Sequence, residues 1–598
     1  MKYVHRMPFG AELDRSGNAR FALWAPTAKE VGLEMGAAGT SIHVPMRAKE
    51  RGWYEAIVPQ IAAGTRYRFR IDNDLDVPDP ASRFNPGGVH EWSVLVDPTS
   101  FEWQDERWRG HAWHELVIYE LHVGTFTQAG TYAAVIERLP DLAKLGITAL
   151  ELLPLASFAG ARGWGYDGVL LFAPHSAYGT PDELKRLVQS AHEHGLSVLL
   201  DVVYNHFGPD GNYLGRYAGD FFTSKHHTPW GDAIDFSNPI VRQFFIQNAL
   251  YWIDEYRFDG LRIDAVHAMY DDGPRHFIDE LIDAVQDGPG RERQLHVVLE
   301  NHRNEACRLR RPRVSQWNDD FHHALHVLVT GEGESYYADY TERPIEHLGR
   351  SLAEGFVFQG ERSAVSGETR GEPSKRLTPL AFVNFLQNHD QIGNRACGER
   401  LAQLCGRAPL EAALAILLLA PQVPMLFMGE EYAAPQPFLY FCDYTGELAD
   451  AVRNGRRDEF AGFASFSDES VRERIPDPNA STTFAESTLV WSQRGEPERK
   501  SWIELTARLL AVRRHSIMPL IPDIELGRAG YEVMGKVLRV TWPTKAGGAL
   551  ALVANLAEEA ATQPAIESGS VVFSTADASN AGDLRPWEVR VFAPERSA

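Results

Sequence analysis

Cysteine is scarce: four in 598 residues, Cys307, Cys397, Cys405 and Cys442. They are too few and too scattered for a disulfide framework. None forms a C-x-x-C pair, which argues against a thiolate metal site. Long apolar runs are also missing. A membrane span needs about 18 or more apolar residues in a row; the best candidate, AALAILLLA at 412–420, is half as long and stops at Pro421. The opening MKYVHRMPFGAEL has no continuous apolar run of the signal-peptide kind, so a cytoplasmic protein is the expectation. Positive charge is in deficit, 59 Lys and Arg against 81 Asp and Glu, a formal charge of −22. Nucleic acid and anionic membrane surfaces both favour a basic patch and are excluded as main partners. No internal repeat and no long low-complexity tract occurs.

What is present is a long chain of ordinary globular composition, 44% hydrophobic and 23% charged. That length is too great for one ordinary core, and roughly two to four domains are expected. Aromatic residues reach 11%, which suits a core and equally a cleft where rings stack on sugars. The first hundred residues read as short strands between turns: RFALWAP (20–26), EVGLEM (30–35), WYEAIV (53–58) and RYRFRI (66–71). This spacing predicts a β-sandwich over 1–110. Strands return after about 518, in KVLRVTW (536–542), ALALVANL (549–556) and WEVRVFAP (587–594), predicting a C-terminal β-domain over 518–598.

Between these, over 111–517, apolar strands alternate with helical stretches. The strands are ELVIYELHV (115–123), ITALELLPL (147–155), LSVLLDVVY (196–204), GLRIDAV (260–266), HVVLE (296–300), VSQW (314–317), AFVNFLQNHD (381–390) and VPMLFMGEE (423–431). Helices are expected over 131–146, 181–195, 238–257 and 501–515, with a long connection at 205–237 rich in Gly, His, Phe and Tyr. The fold class expected is α/β, a (β/α)₈ TIM barrel with insertions, rather than an open doubly wound sheet.

A barrel of this kind puts its chemistry at the C-terminal strand ends. There the sequence places charges that an apolar strand has no structural need for. In FDGLRIDAVH (258–267), Arg262 and Asp264 share one strand face, although burying an ion pair rarely stabilises a fold. The fifth strand ends in Glu300 and the seventh in Asn388-His389-Asp390; the third carries Asp201, with Asn205 and His206 beyond it. Each has a plainer explanation: Asp390 as a helix cap, Glu300 as a solvated loop residue, Arg262 and Asp264 as a structural pair. Three carboxylates in register are harder to explain so. They suit glycoside hydrolysis, in which one carboxylate attacks the anomeric carbon and another protonates the leaving oxygen.

Other signals lead nowhere. GWGYDG (163–168) matches G-x-G-x-x-G but is followed by VLLFAP, not by the helix a dinucleotide site needs. His192 and His194 do not share a helix face, and His111 and His114 lack a third ligand nearby, so no metal site and no cofactor is expected. No G-x-S-x-G occurs. Trp164, Trp230 and Trp317 are candidates for the cleft wall, although burial in the core is the commoner fate of a Trp.

Four blocks in order, LLDVVYNH (199–206), DGLRIDAVH (259–267), VVLEN (297–301) and FLQNHD (385–390), resemble those of the α-amylase family of glycoside hydrolases. A closer likeness runs over most of the chain, through PDPASRFNPGGVHEWSVLVDP (78–98), GWGYDGVLLFAPHSAYGTPDELK (163–185), WNDDFHHALHVLVTGE (317–332) and MLFMGEEYAAPQPFLYF (425–441). It is to the branch of that family that releases trehalose from its substrate, maltooligosyltrehalose. The resemblance implies Asp264 as nucleophile, Glu300 as general acid/base and Asp390 as third carboxylate. Arg262 is then the group that orients Asp264 and keeps it ionised. His206 and His389 bind hydroxyls, Tyr166 stacks on the sugar and His267 lies toward the leaving group. It implies no calcium at Asn205. One departure stands out: Asn301-His302-Arg303 follows Glu300 where the commoner form of the family has an acidic residue. The alternative within the same chemistry is a 1,4-α-glucan branching enzyme. A non-catalytic glucan-binding protein has no use for a nucleophile facing an acid.

Overall fold

A computed structural model describes residues 2–36, 41–462, 468–566, 569–576 and 582–594. The eight expected strands close into a parallel barrel: β1 (Ile118–Leu121), β2 (Ala149–Leu152), β3 (Ser197–Val202), β4 (Gly260–Ile263), β5 (His296–Leu299), β6 (Val314–Trp317), β7 (Phe382–Phe385) and β8 (Val423–Phe427). Every one of their residues is buried. Helices cover the outside and side chains fill the inside, which is why the strands read as near-continuous apolar runs.

The register explains how charges come to lie over this core. Ile118, Ala149, Leu199 and Val298 belong to one apolar cluster with Trp317, Phe385 and Met425. Two residues further along the same strands stand Glu120, Glu151, Asp201 and Glu300. Side chains alternate along a strand, so each inward apolar residue is followed inward by a carboxyl. Across the β3–β4 pair, Asp201 is registered opposite Arg262. The barrel therefore changes from a dry lower layer to a charged upper one within two residues.

The N-terminal region forms two sheets. Gly10–Leu13, Ala19–Trp24, Trp53–Val58 and Arg47–Ala48 make one; Ile42–Pro45, Val31–Met35, Arg66–Ile71, Leu75–Val77 and Ser93–Val94 make the other. Phe21 packs edge-on against Tyr67 between them, ring centroids 4.9 Å apart. This unit is anchored to the barrel helix Pro239–Glu255 by a buried ion pair, Arg83 with Glu255 at 3.2 Å. The C-terminal strands Gly530–Met534, Val537–Pro543, Ala549–Asn555, Val589–Ala593 and Ser570–Ser574 form an antiparallel sheet in that order.

Three local expectations change. The helix expected over 131–146 is two, Tyr132–Ile136 and Leu139–Leu145. Pro140 has no N–H to donate and is accommodated in the first turn of the second helix. Strand β4 ends at Ile263, and Ala265 takes a left-handed φ of 41°, so Asp264 sits at a bend rather than inside the strand. The connection at 205–237 contains a hairpin, Phe222–Thr228 with Gly231–Ile234. Among the described residues no helix is long and apolar enough to cross a membrane.

Candidate active site

Arg262 is fully buried, and its guanidinium is the hub of the site. Nη1 donates to Asp201 at 2.9 and 2.7 Å and to Asp264 Oδ1 at 2.8 Å, while Nη2 donates to Glu300 Oε2 at 2.6 Å. The Trp317 ring lies under it, 4.0 Å from Cζ to the centroid, adding a cation–π contact on the face that makes no hydrogen bonds. One cation thus holds three carboxyls, from the ends of β3, β4 and β5.

The same cation leaves these carboxyls in different protonation states. Burial pushes Asp264 up, but the Arg262 charge, the His206 charge and a 2.6 Å hydrogen bond from Asn205 Nδ2 outweigh it and hold the acid below its usual range. Glu300 goes the other way. Burial dominates, and the charges of Asp264 and Asp390 add to it against Arg262, so its carboxyl is raised well above the ordinary value. Its Oε2 also accepts the Ala265 N–H at 2.9 Å. Glu300 keeps a proton where Asp264 has lost one.

The remaining expected residues gather around this pair. The Tyr166 hydroxyl donates to Asp201 at 2.5 Å, and its ring stacks on His389 at 5.0 Å. His389 follows Asn388, which caps the short helix His389–Gly393. The helix cap is therefore Asn388, not Asp390. His389 Nδ1 donates to Glu120 at 2.5 Å, and Nε2 lies 3.7 Å from Asp390. Burial lowers the affinity of that imidazole for its proton, but Glu120 overcomes this and the net shift is upward. The Asp390 side chain is 39% exposed and lines the cleft. His206 has both ring nitrogens engaged, by Asn205 and by the Tyr166 carbonyl at 2.9 Å. His267 is pushed down to about 3 by burial and by neighbouring His302, whose ring is 3.8 Å away.

Several participants escaped sequence reasoning. Asp201 was visible at a strand end but had no role; burial raises it to about 6 despite Arg262. Glu120 and Glu151 lie inside β1 and β2, and a Glu flanked by apolar residues in YEL and LEL was the available signal. Trp230 is 50% exposed and stacks on His206 with centroids 3.6 Å apart, so this Trp lies beside an expected site residue and not in the core. Trp164 and Trp317 are buried, and Trp317 also lines the cavity beside Glu300 and Asp390. His192 is a structural residue, held between Asp105 and Asp259. In the departing segment, Asn301 turns inward and donates to Glu305 at 3.0 Å. Among the described residues no three His, Cys, Asp or Glu side chains converge as a metal site requires.

The comparisons follow this architecture. The α-amylase catalytic domain matches at residues 95–229, carbohydrate-binding module 48 (isoamylase N-terminal domain) at 8–100, and a C-terminal domain of unknown function, DUF3459, at 526–591. Malto-oligosyltrehalose trehalohydrolase of Deinococcus radiodurans is 43% identical over 539 residues, covering 90% of this chain and 87% of that one. The chain belongs to the malto-oligosyltrehalose trehalohydrolase family. A solved structure described as a putative alpha amylase from Salmonella typhimurium is 42% identical with a TM-score of 0.94, covering 98% of this chain and 99% of that one. A 1,4-alpha-glucan branching enzyme of Pseudoalteromonas atlantica is 35% identical but matches only 42% of this chain and 38% of its own length. The trehalohydrolase match spans nine-tenths of this chain, and the branching-enzyme match less than half of it.

Proposed function

We propose that this chain is a retaining glycoside hydrolase that cuts the α-1,4 bond next to the terminal trehalose unit of maltooligosyltrehalose and releases trehalose. Asp264 is the nucleophile, Glu300 the general acid/base and Asp390 the third carboxylate. The observation that carries these roles is the single Arg262 guanidinium shared by Asp264 and Glu300. Glu300 also hydrogen-bonds Asp264 directly, which leaves no room for a water between the two carboxyls. Such closeness favours covalent attack over the inverting geometry, whose acids stand about 6.5–9.5 Å apart.

Ionised Asp264 attacks the anomeric carbon while Glu300 gives its proton to the glycosidic oxygen, and trehalose leaves. Glu300, now a carboxylate, takes a proton from water, which displaces Asp264 and frees the maltooligosaccharide with its configuration retained. Asp390 and His389 hold hydroxyls of the sugar being cleaved, and Tyr166 provides the stacking face. Arg262 keeps Asp264 ionised. His206 serves the same sugar once its ring gives up a protein partner, and His267 stands toward the leaving group. We assign the three units to 1–110, 111–517 and 518–598, in line with the separate sheets flanking the barrel. A cytoplasmic location fits the four free cysteines.

Product analysis tests the function. With maltotriosyltrehalose the expected result is rapid release of free trehalose, with little attack on maltopentaose under the same conditions. Equal cleavage of both, or new α-1,6 branches on a longer glucan, overturns the proposal and favours the branching alternative.

A further inference from the structure

Glu120 sits in the middle of β1, 1% exposed, and both its side-chain oxygens are directed at one residue. Oε2 accepts the His389 backbone N–H at 3.2 Å, and Oε1 accepts from the ring Nδ1 at 2.5 Å. A carboxylate only accepts, so this ring carries a proton on Nδ1. Among the described residues the carboxyl makes no other hydrogen bond or ion pair. Burying a carboxylate inside a barrel is costly, and the strand itself has no need of it, because Tyr119 and Leu121 already pack in the core. Glu151 shows the contrast. It is registered beside Glu120 across the β1–β2 pair and is equally buried, yet neither of its oxygens has a partner.

His389 needs such a partner. Its ring is walled by Tyr166, stacked at 5.0 Å, and by Trp164, edge-on at 5.4 Å. These walls fix the plane of the ring but not its facing. A half-turn about the Cβ–Cγ bond keeps the plane and puts carbon where each nitrogen was. The Glu120 bond removes that freedom. With Nδ1 turned to β1, Nε2 is left on the side of Asp390, 3.7 Å away. The second bond acts on the chain. His389 opens the helix His389–Gly393, and a helix start leaves its first N–H groups without partners inside the helix. Oε2 takes the first of them, which pins the turn that carries Asp390.

We propose that Glu120 is a positioning residue for the cleavage: it sets His389 with Nδ1–H toward β1 and Nε2 toward the sugar, and it pins the helix start that carries Asp390. Glu120 touches no substrate and acts through His389. The hydrogen bond on one nitrogen of an imidazole decides what the other nitrogen offers. This inference rests on the functional reading above, in which His389 holds a hydroxyl of the sugar being cleaved.

The test is a double-mutant cycle on maltotriosyltrehalose, built from Glu120→Gln, His389→Gln and the double variant. Glu120→Gln is expected to lower kcat/KM about tenfold, as the loss of a charge-assisted hydrogen bond gives. The loss is expected in kcat rather than in KM, because contacts to the sugar being cleaved strengthen in the transition state. Added to His389→Gln, the same substitution is expected to cost less than about twofold, because an effect carried by His389 is lost only once. Losses that multiply in the double variant overturn the inference alone. A His389→Gln enzyme as active as wild type overturns the role given to His389 and the inference together. The wild-type enzyme labelled with ¹⁵N-histidine covers the case in which Glu120→Gln does not fold. The His389 signal, identified by its absence from His389→Gln, is expected to show a protonated Nδ1. A bare Nδ1 with the proton on Nε2 overturns the inference.

Discussion

Arg262 Nη2 lies 2.6 Å from Glu300 Oε2, yet Glu300 retains its proton more tightly than an ordinary carboxyl. A guanidinium alone would do the opposite. Burial and the charge of Asp264 decide the outcome, because Arg262 is already shared with Asp264 and Asp201. One cation serving three acids cannot offset the burial of Glu300, whose carboxyl therefore favours the protonated state that a proton donor requires.

Removing each carboxyl separates their roles. Glu300→Gln is expected to lower kcat on maltotriosyltrehalose by about 10²–10⁴-fold, the usual contribution of a positioned acid. On maltotriosyl fluoride, whose leaving group needs no proton, the first step is expected to survive. Asp264→Asn is expected to lose both reactions. Burst kinetics with the fluoride check this, and an active Asp264→Asn enzyme contradicts the assignment.

The pH profile of kcat/KM is expected to be bell-shaped, and the signs follow from the two carboxyls. As pH falls through the lowered pKa of Asp264 the nucleophile is protonated, so the acid limb lies below the ordinary Asp value of about 3.9. As pH rises through the raised pKa of Glu300 the acid is lost, so the alkaline limb lies well above about 4.3. In Glu300→Gln, assayed on the fluoride, the alkaline limb is expected to disappear.

Arg262→Lys is not a conservative change here. A single ammonium cannot bridge Asp201, Asp264 and Glu300 as the planar fork does. Loss of one partner from a buried ionic cluster costs about 3–5 kcal/mol, so the melting temperature is expected to fall along with kcat. A variant with wild-type Tm and kcat contradicts the hub.

Glu151 gives a prediction about stability. Both its oxygens are buried without partners, and burial, with Glu120 and Asp201 beside it, raises its affinity for a proton well above the ordinary range. The native state therefore holds a proton that the unfolded chain loses above about pH 4.3. Folding is disfavoured increasingly as pH rises from there toward the folded-state pKa. Glu151→Gln removes this dependence: the variant is expected to match wild type near pH 4 and to melt higher at pH 7–8, as scanning calorimetry at the two pH values shows.

The barrel was legible because its strands are buried on both faces and so stay apolar throughout; VSQW, the weakest of them, is β6 with the same bounds. Arg262, Asp264, Glu300 and Asp390 stood out for the complementary reason, charges at the ends of apolar runs. Glu120 and Glu151 obey the same rule but sit mid-strand, where no block marked them. Trp230 was one of three Trp candidates, and nothing local set it apart from Trp164 and Trp317, because its ring partner, His206, is 24 positions earlier in the chain. Asp319 and Asp320 are adjacent and identical in type; only the fold makes one a cleft residue and the other a buried acceptor.

The most direct test of the shared-guanidinium geometry is the anomeric form of the first product. Maltotriosyltrehalose is mixed with enzyme in an NMR tube, and the new reducing end of maltotriose is followed before mutarotation. Displacement at Asp264 followed by water predicts the α-anomer first. The β-anomer first would mean that water attacks directly, and that Asp264 and Glu300 do not work as the close pair Arg262 holds.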